Sequence, residues 1–512
     1  MKKYILFLIL LVVTFAQAQE NMLRIHRGGK HQSFSVERID SIVPRLGEIP
    51  AKDSLKIFYK NSLKAQYSVA EIDSLTIFRP KLMSGHADEQ AKSLKKKILD
   101  AKDELQVSGV KYYLSEKGND ANSGKSPQAP WKTLAKLSGA ALTAGDAVFF
   151  ERGSVFRGSI VAVSGVSYGA YGQGDKPCIY GAKENSAIAE RWKQVKPNVW
   201  SYSQAVHNDI GLIAFNHGEA SGIKKWKIDD VAQNFDYYHN LSDFKVYLYY
   251  DKGNPGELFS DIEFGEKKHI ILLPERSSDV RIDNLCLKYG GAHGIVAVDA
   301  KNISITNVEI AWIGGSHHIH NGQVVRYGNA IECWDGIDGI RVENCYIYQI
   351  YDTGITFQGS SSPTMKNILY KANLIEYCTW SIEYWMSNPS AVITNVCFED
   401  NILRFSGYGW GNQRPDKSDA RHIKTWNYPN KSDNFVIKNN YFDVAKHGIF
   451  DLKASASMKY LPKMSNNVYA QYKGLDAGQW GNATLVFDNR IRLEMISFGV
   501  EQNPKVIFVP RP

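Results

Sequence analysis

The 512-residue sequence predicts an all-β solenoid, a parallel β-helix. Two observations carry this. Six eight-residue windows align: VRIDNLCL (280–287), ISITNVEI (303–310), IRVENCYI (340–347), ILYKANLI (368–375), VCFEDNIL (396–403) and FVIKNNYF (435–442). In each, apolar residues alternate with polar ones, the period of a strand with one face buried. Each window also carries an Asn at its fifth or sixth place: Asn284, Asn307, Asn344, Asn373, Asn401, and Asn439 or Asn440. The second observation is a further set in step with the first: HGIVAV (293–298), NAIECW (329–334), TGITFQ (353–358), SIEYW (381–385), HIKTW (422–426) and HGIFDL (447–452). These share Ile295, Ile331, Ile355, Ile382, Ile423 and Ile449. A repeat of about two dozen residues, with several short strands per unit and Asn at the turns, marks stacked coils.

Composition agrees with an ordinary folded protein. Hydrophobic residues make up 44% and charged residues 22%, which excludes a mostly disordered chain. The 11 Trp, 28 Tyr and 22 Phe suit cores as well as surfaces that stack on sugar rings. The net charge of +8 is too small for a nucleic-acid binder and mildly favours an anionic partner.

The elements follow in chain order. Residues 1–18 read as a signal peptide: Lys2 and Lys3, an apolar run from Tyr4 to Phe15, then Ala16-Gln17-Ala18. Export to the periplasm, cell surface or exterior is expected, with no membrane span in the mature chain. Residues 20–82 hold a duplicated strand pattern and form a small β module. Residues 83–109 are charged and helix-prone, a helical linker. The β-helix is placed at 110–460, with a β-rich insertion at 183–265 marked by Trp192, Trp200, Trp226 and clustered Tyr. Residues 461–512 are expected to pack on it as a tail. The six Cys form no CxxC pair and read as small core residues.

Three stretches resemble known proteins. Residues 20–80 resemble small β modules at the N-termini of exported Bacteroidetes-type proteins. Residues 112–182, with GDAVFF at 145–150, resemble the capping region of right-handed parallel β-helix enzymes of the pectate-lyase-like superfamily. The GYGW (407–410), RPD (414–416) and RH (421–422) segment, with GNAIECW and SIEYW, is similar to exported β-helix proteins of polysaccharide-degrading bacteria. The resemblance implies a right-handed helix and a carbohydrate-active function.

Strand alternation around the shared Ile places the candidate chemistry. The next residue faces outward, giving the row Val296, Glu332, Thr356, Glu383, Lys424, Phe450. The residues just before the Ile, His422 among them, are expected to face outward too. So are Trp334, Gln358, Trp385 and Trp426. Coils stack at about 4.8 Å, which puts Glu332 and Glu383 roughly 9–10 Å apart between backbones. Two long coils, 36 residues from Ile295 to Ile331 and 41 from Ile382 to Ile423, should emerge on the same side. The first carries His317, His318 and His320; the second carries Trp410, Arg414 and Asp416. Both are expected to wall a groove.

Three functions compete. A polysaccharide lyase acting on an acidic, uronate-containing polysaccharide, such as a glycosaminoglycan or pectin, is the leading expectation. β-Helix lyases that the chain resembles use Lys, Arg or His as base, often with Ca²⁺. That resemblance implies His422 or Lys424 as base, Arg414 on the carboxylate and Glu332 with Glu383 on Ca²⁺. Glu383 beside Lys424 would raise its pKa, which favours His422. The second is a glycoside hydrolase using Glu332 and Glu383, with Asp352 and Asp416 in reserve. The third is a non-catalytic binder. Substrate contacts are expected from Trp334, Trp385, Trp426, Trp410, His318, His320 and Gln358. The His loop lacks the further ligands of a Zn site. A monomer is expected.

Overall fold

The computed structural model describes residues 22–27, 30–35, 39, 41–45, 54–59, 62–68, 72, 74–78, 83 and 85–511, apart from 321, 363, 414–418 and 454–456. The expected signal peptide, Arg414 and Asp416 lie outside the described residues.

The chain folds as a right-handed parallel β-helix of three ten-stranded sheets. Each coil gives one strand to each sheet; Ile331–Trp334, Asp338–Glu343 and Tyr346–Ile350 form one such coil. The alternating windows dictate this. Inward apolar residues stack on their counterparts one coil away: Ile303, Ile340, Ile368, Val396 and Phe435 in one sheet, and Ile310, Ile347, Ile375, Leu403 and Phe442 in the next. All belong to one continuous buried core. Burying each such side chain contributes about 1.5–3 kcal/mol.

The Asn residues divide by position. Those at the fifth place, Asn284, Asn307, Asn344 and Asn439, turn the corner with φ of 57°, 54°, 51° and 58°. Asn tolerates this left-handed region better than most residues. Those at the sixth place turn inward and form a ladder. Asn401 Nδ2 donates to Asn440 Oδ1 at 2.9 Å, and Asn373 Nδ2 donates to Asn401 Oδ1 at 3.0 Å. Asn467 continues the ladder and Glu501 ends it.

The solenoid continues past residue 460. Lys463–Ser465, Val468–Tyr472 and Asp476–Trp480 add a strand to each sheet, and the helix Ile491–Ser497 buries Ile491 and Met495 over the end. The charged stretch before the solenoid forms the helix Asp88–Leu99, which packs Ala91, Ile98 and Leu99 on Tyr346, Leu374 and Ile402. Arg404 ties it down, bonding Asp88, Glu376 and Asp443. The insertion builds a five-stranded and a three-stranded sheet around its own aromatic core. All six Cys are free thiols, four of them buried. Among the described residues no helix is long and apolar enough to cross a membrane.

Candidate functional site

The sheet carrying the shared Ile residues positions the candidate site. Ile295, Ile331, Ile355, Ile382 and Ile423 pair in register, so Val296, Glu332, Thr356, Glu383 and Lys424 form one row on the opposite face. The last coil differs from expectation by one residue. Ile423 pairs with Phe450, not Ile449, and Asp451 rather than Phe450 follows Lys424 in the row.

That slip changes the electrostatics. Lys424 Nζ donates to Asp451 at 2.6 Å and also to Asp419, and it lies 4.6 Å from the Trp426 ring centroid. Two carboxylates pair with it, and it is 2% exposed. The expectation of Lys424 as base therefore meets a buried, ion-paired side chain.

His422 is corrected more sharply. It does not face outward. His422 and Ile423 are both fully buried, and the His422 ring lies on the core side beside Phe442. His422 has no exposed surface, and its ring lies 6.0 Å from that of Phe442. Its Nδ1 meets Ser406 Oγ at 3.0 Å and Ser381 Oγ at 3.4 Å, while Nε2 has no partner. Burial pushes its pKa down to about 3. A neutral imidazole enclosed in the core reaches no substrate proton.

The two glutamates share the outward face as expected, but not in an open groove. Glu332 is 2% exposed and Glu383 5%. Gln358 Nε2 donates to Glu332 Oε1 at 2.7 Å. Thr356 Oγ1 donates to Oε2 at 2.9 Å, and Asn329 Nδ2 donates to the same oxygen. Burial pushes the Glu332 carboxyl above the usual carboxylate range; these three bonds pull it back, and the charge of Asp352 raises it further. Glu383 accepts from Thr353 Oγ1 at 3.1 Å and from Trp426 Nε1. These donors occupy the lone pairs that Ca²⁺ would need, since a Ca²⁺ site demands six to eight oxygen ligands. Among the described residues no group of three or more His, Cys, Asp or Glu is placed to hold a metal. The residues present do not fit the expected Ca²⁺ site.

Beyond the carboxylates lies a half-exposed aromatic platform. Trp334 and Trp385 meet edge to face at 5.7 Å, and Trp385 meets Tyr428 at 5.2 Å. Trp426 is half-buried and meets Trp380 edge to face at 5.9 Å. Trp410 is not part of the platform: its ring packs on Tyr351 and its Nε1 donates to Gln349 O at 2.8 Å. It anchors the second long loop instead of meeting a sugar.

The first long loop forms a hairpin, Ser316–His320 with Gln323–Tyr327. His318 lies on it, its ring 4.8 Å from Tyr327. His320 closes the strand; its side chain lies outside the described residues. Tyr327 in turn meets His293 at 5.2 Å, and His293 stacks on His269 at 5.2 Å. His293 Nδ1 accepts from Asn329 N and lies 4.0 Å from Glu332 Oε2. Burial pushes both His293 and His269 down to about 4. Sequence reasoning missed His269, His293, Asn329 and Tyr327. The one signal available was that Asn329 and His293 stand two places before their shared Ile.

No family model matches the chain. A curated relative, lacto-N-biosidase of Bifidobacterium longum subsp. longum, is 36% identical over 100 residues, covering 17% of this chain and 6% of the relative's own length. Similar solved structures include XylC in complex with xylose, at 13% identity and a TM-score of 0.46, covering 71% of this chain and 69% of that one. The GH136 lacto-N-biosidase from Eubacterium ramulus matches at 14% identity and 0.35, covering 78% and 68%. Pectate lyase Pel9A matches at 10% identity and 0.38, covering 72% and 70%. These likenesses are shallow. The fold assignment rests on the chain's own sheets.

Proposed function

We propose that the chain is a glycoside hydrolase acting on a neutral glycan, with Glu332 as general acid and Glu383 as the second carboxylate. One observation carries the reading. Two carboxylates stand two strands apart on one face, each followed two residues on by a half-buried tryptophan, while the neighbouring lysine is already paired with Asp419 and Asp451.

A general acid must hold its proton near working pH, and burial moves Glu332 in that direction. Gln358 is half-buried, whereas Asn329 and Thr356 are buried. A glycosidic oxygen displacing the Gln358 amide would therefore take the proton from Oε1. Glu383 would activate water on the opposite side of the sugar. Backbones roughly 9–10 Å apart by strand spacing suit the wider carboxylate separation of inverting enzymes.

Elimination from a uronate needs a base that reaches the substrate. Among the described residues Lys424 is paired with Asp419 and Asp451, and His422 is enclosed. A neutral glycan needs neither of these as base, which supports it over the acidic polysaccharide first expected.

The test is a screen that follows reducing ends and ultraviolet absorbance together. The panel would hold xylo-oligosaccharides and glycans containing lacto-N-biose, beside pectin, alginate, chondroitin sulfate and hyaluronan. Reducing ends from a neutral glycan without new absorbance are expected. New absorbance from a uronide polymer would return the lyase reading.

A further inference from the structure

We infer that the site is closed at one end and acts on chain termini, releasing one small unit at a time. The inference rests on the hydrolase reading above and adds the mode of action to it.

The closure comes from three segments far apart in sequence. The hairpin of the first long loop rises immediately before the strand that bears Glu332. Its exposed tip residues Ile319 and Val324 show that it stands clear of the solenoid. Its base reaches the carboxylate through contacts already described: Tyr327 against His293, and His293 beside Glu332.

Buried polar groups fix the hairpin in place. Asp209 of the insertion accepts from the His317 backbone N–H at 2.9 Å. The same carboxylate takes Lys224 Nζ at 2.5 and 2.7 Å, and both side chains are almost fully enclosed. Arg326 of the hairpin donates to Gly315 O at 2.7 Å and to Gly211 O at 3.0 Å, with its guanidinium 4.3 Å from the Tyr351 ring centroid. Gln413 of the second long loop joins all three segments. It accepts from Arg326 at 3.2 Å and from Lys224 N at 3.1 Å, and it donates to Gly222 O at 3.1 Å. Separating these groups would leave buried charges unpaired, so the wall is a fixed part of the fold.

The other direction along the strands is open. Trp334 and Trp385 follow Glu332 and Glu383 by two residues, about 6–7 Å along a strand. Tyr428 extends the platform and is exposed. A glycan can therefore leave the carboxylates over the aromatic side, but it cannot continue past the hairpin that rises above His293 and Tyr327. The terminal unit sits against the wall, and the rest of the chain lies over the tryptophans.

The experiment uses the full chain and the neutral oligosaccharide that it hydrolyses. Two forms are compared: one linear with a fluorophore at the reducing end, and one with bulky caps on both ends. One small product from the earliest time points, stepwise shortening and at least a hundredfold slower cleavage of the capped form are expected. A ladder of mid-sized products at first sampling, with the capped form cut as fast, would overturn end-directed action while leaving hydrolysis standing. No cleavage of any glycan, or unsaturated products only, would overturn the hydrolase reading and this inference with it. A shortened hairpin gives a second readout. Replacing residues 318–325 by an Asn-Gly turn keeps the paired His317 and Arg326. That variant should gain cleavage of the capped form. Retained cleavage of the linear form without that gain would remove the hairpin from the role assigned to it.

Discussion

Replacing His422 separates a structural from a catalytic role and gives a number. In the folded protein this imidazole titrates at about 3, against 6.5 for an ordinary His. The unfolded chain therefore takes up a proton near pH 6.5 that the folded chain refuses. Stability from this group is fully present above that pH and is lost as pH falls toward the folded value. Between about pH 7.5 and about pH 4.5 the loss is about two pH units, or about 3 kcal/mol. His422→Leu removes the term. The change is mild at neutral pH, because Ser381 and Ser406 already lie 2.9 Å apart and keep each other as partners, while the orphaned Nε2 disappears. Urea unfolding of both proteins at the two pH values measures it. His269 and His293 contribute to acid sensitivity in both proteins and cancel in the difference. The wild type should lose about 3 kcal/mol more than the variant, and kcat/KM of the variant should stay within about threefold at neutral pH. Parallel pH responses would refute the buried neutral imidazole. A loss of about 10²–10⁴ in rate with unchanged stability would restore His422 as a catalytic base.

Four further outcomes are expected. Glu332→Gln and Glu383→Gln should each lower kcat/KM by about 10²–10⁴, and wild-type activity should fall as pH rises through the raised Glu332 pKa. Lys424→Met should cost about 3–5 kcal/mol in urea unfolding, because Asp419 and Asp451 lose their cation, and Asp451→Asn in the same protein should recover part of it. Asn401→Ala should cost about 3–4 kcal/mol in the same assay. It removes donors to Tyr370 O and Asn440 Oδ1 and the acceptor of two Asn373 groups, four bonds at about 1 kcal/mol each. Activity should withstand a chelator, since hydrogen-bond donors already hold the Glu332 oxygens; loss of activity restored by Ca²⁺ would contradict this.

The sequence made the solenoid legible because its repeat is enforced by burial. A one-residue slip would turn every inward Ile to solvent, so the period appears in composition itself. Glu332, Thr356, Glu383 and Lys424 inherited their common row from that period. Their partners did not. Asn329 reaches Glu332 from before the strand, and Gln358 reaches it from the neighbouring coil. His293 lies beside it across 39 residues, and Tyr327 reaches it only through His293, from a loop with no periodic signal. The insertion was legible as a break in the repeat. Its attachment to both long loops through Gln413 was not, because a single Gln in a loop carries no pattern.

The alternation rule failed at His422, and the failure bears on chemistry. Straight alternation puts the residue before Ile423 outside; the structure buries His422 beside Phe442. The same arithmetic, carried one coil further, selects Ile449 by its identity as Ile. The backbone instead pairs Ile423 with Phe450, whose larger side chain fills the interior next to Tyr469 and Trp480. Asp451 then lands beside Lys424 where Phe450 was expected. With Phe450 there, Lys424 would have Glu383 and an apolar side chain as its neighbours in the row. With Asp451 there, it gains a second buried carboxylate partner. One residue of register thus decides whether the row closes Lys424 into an ion pair. Asp451→Asn alone tests that step: if Lys424 were the base, the variant should gain activity at lower pH, whereas hydrolysis through Glu332 predicts a less stable protein with an unchanged pH profile.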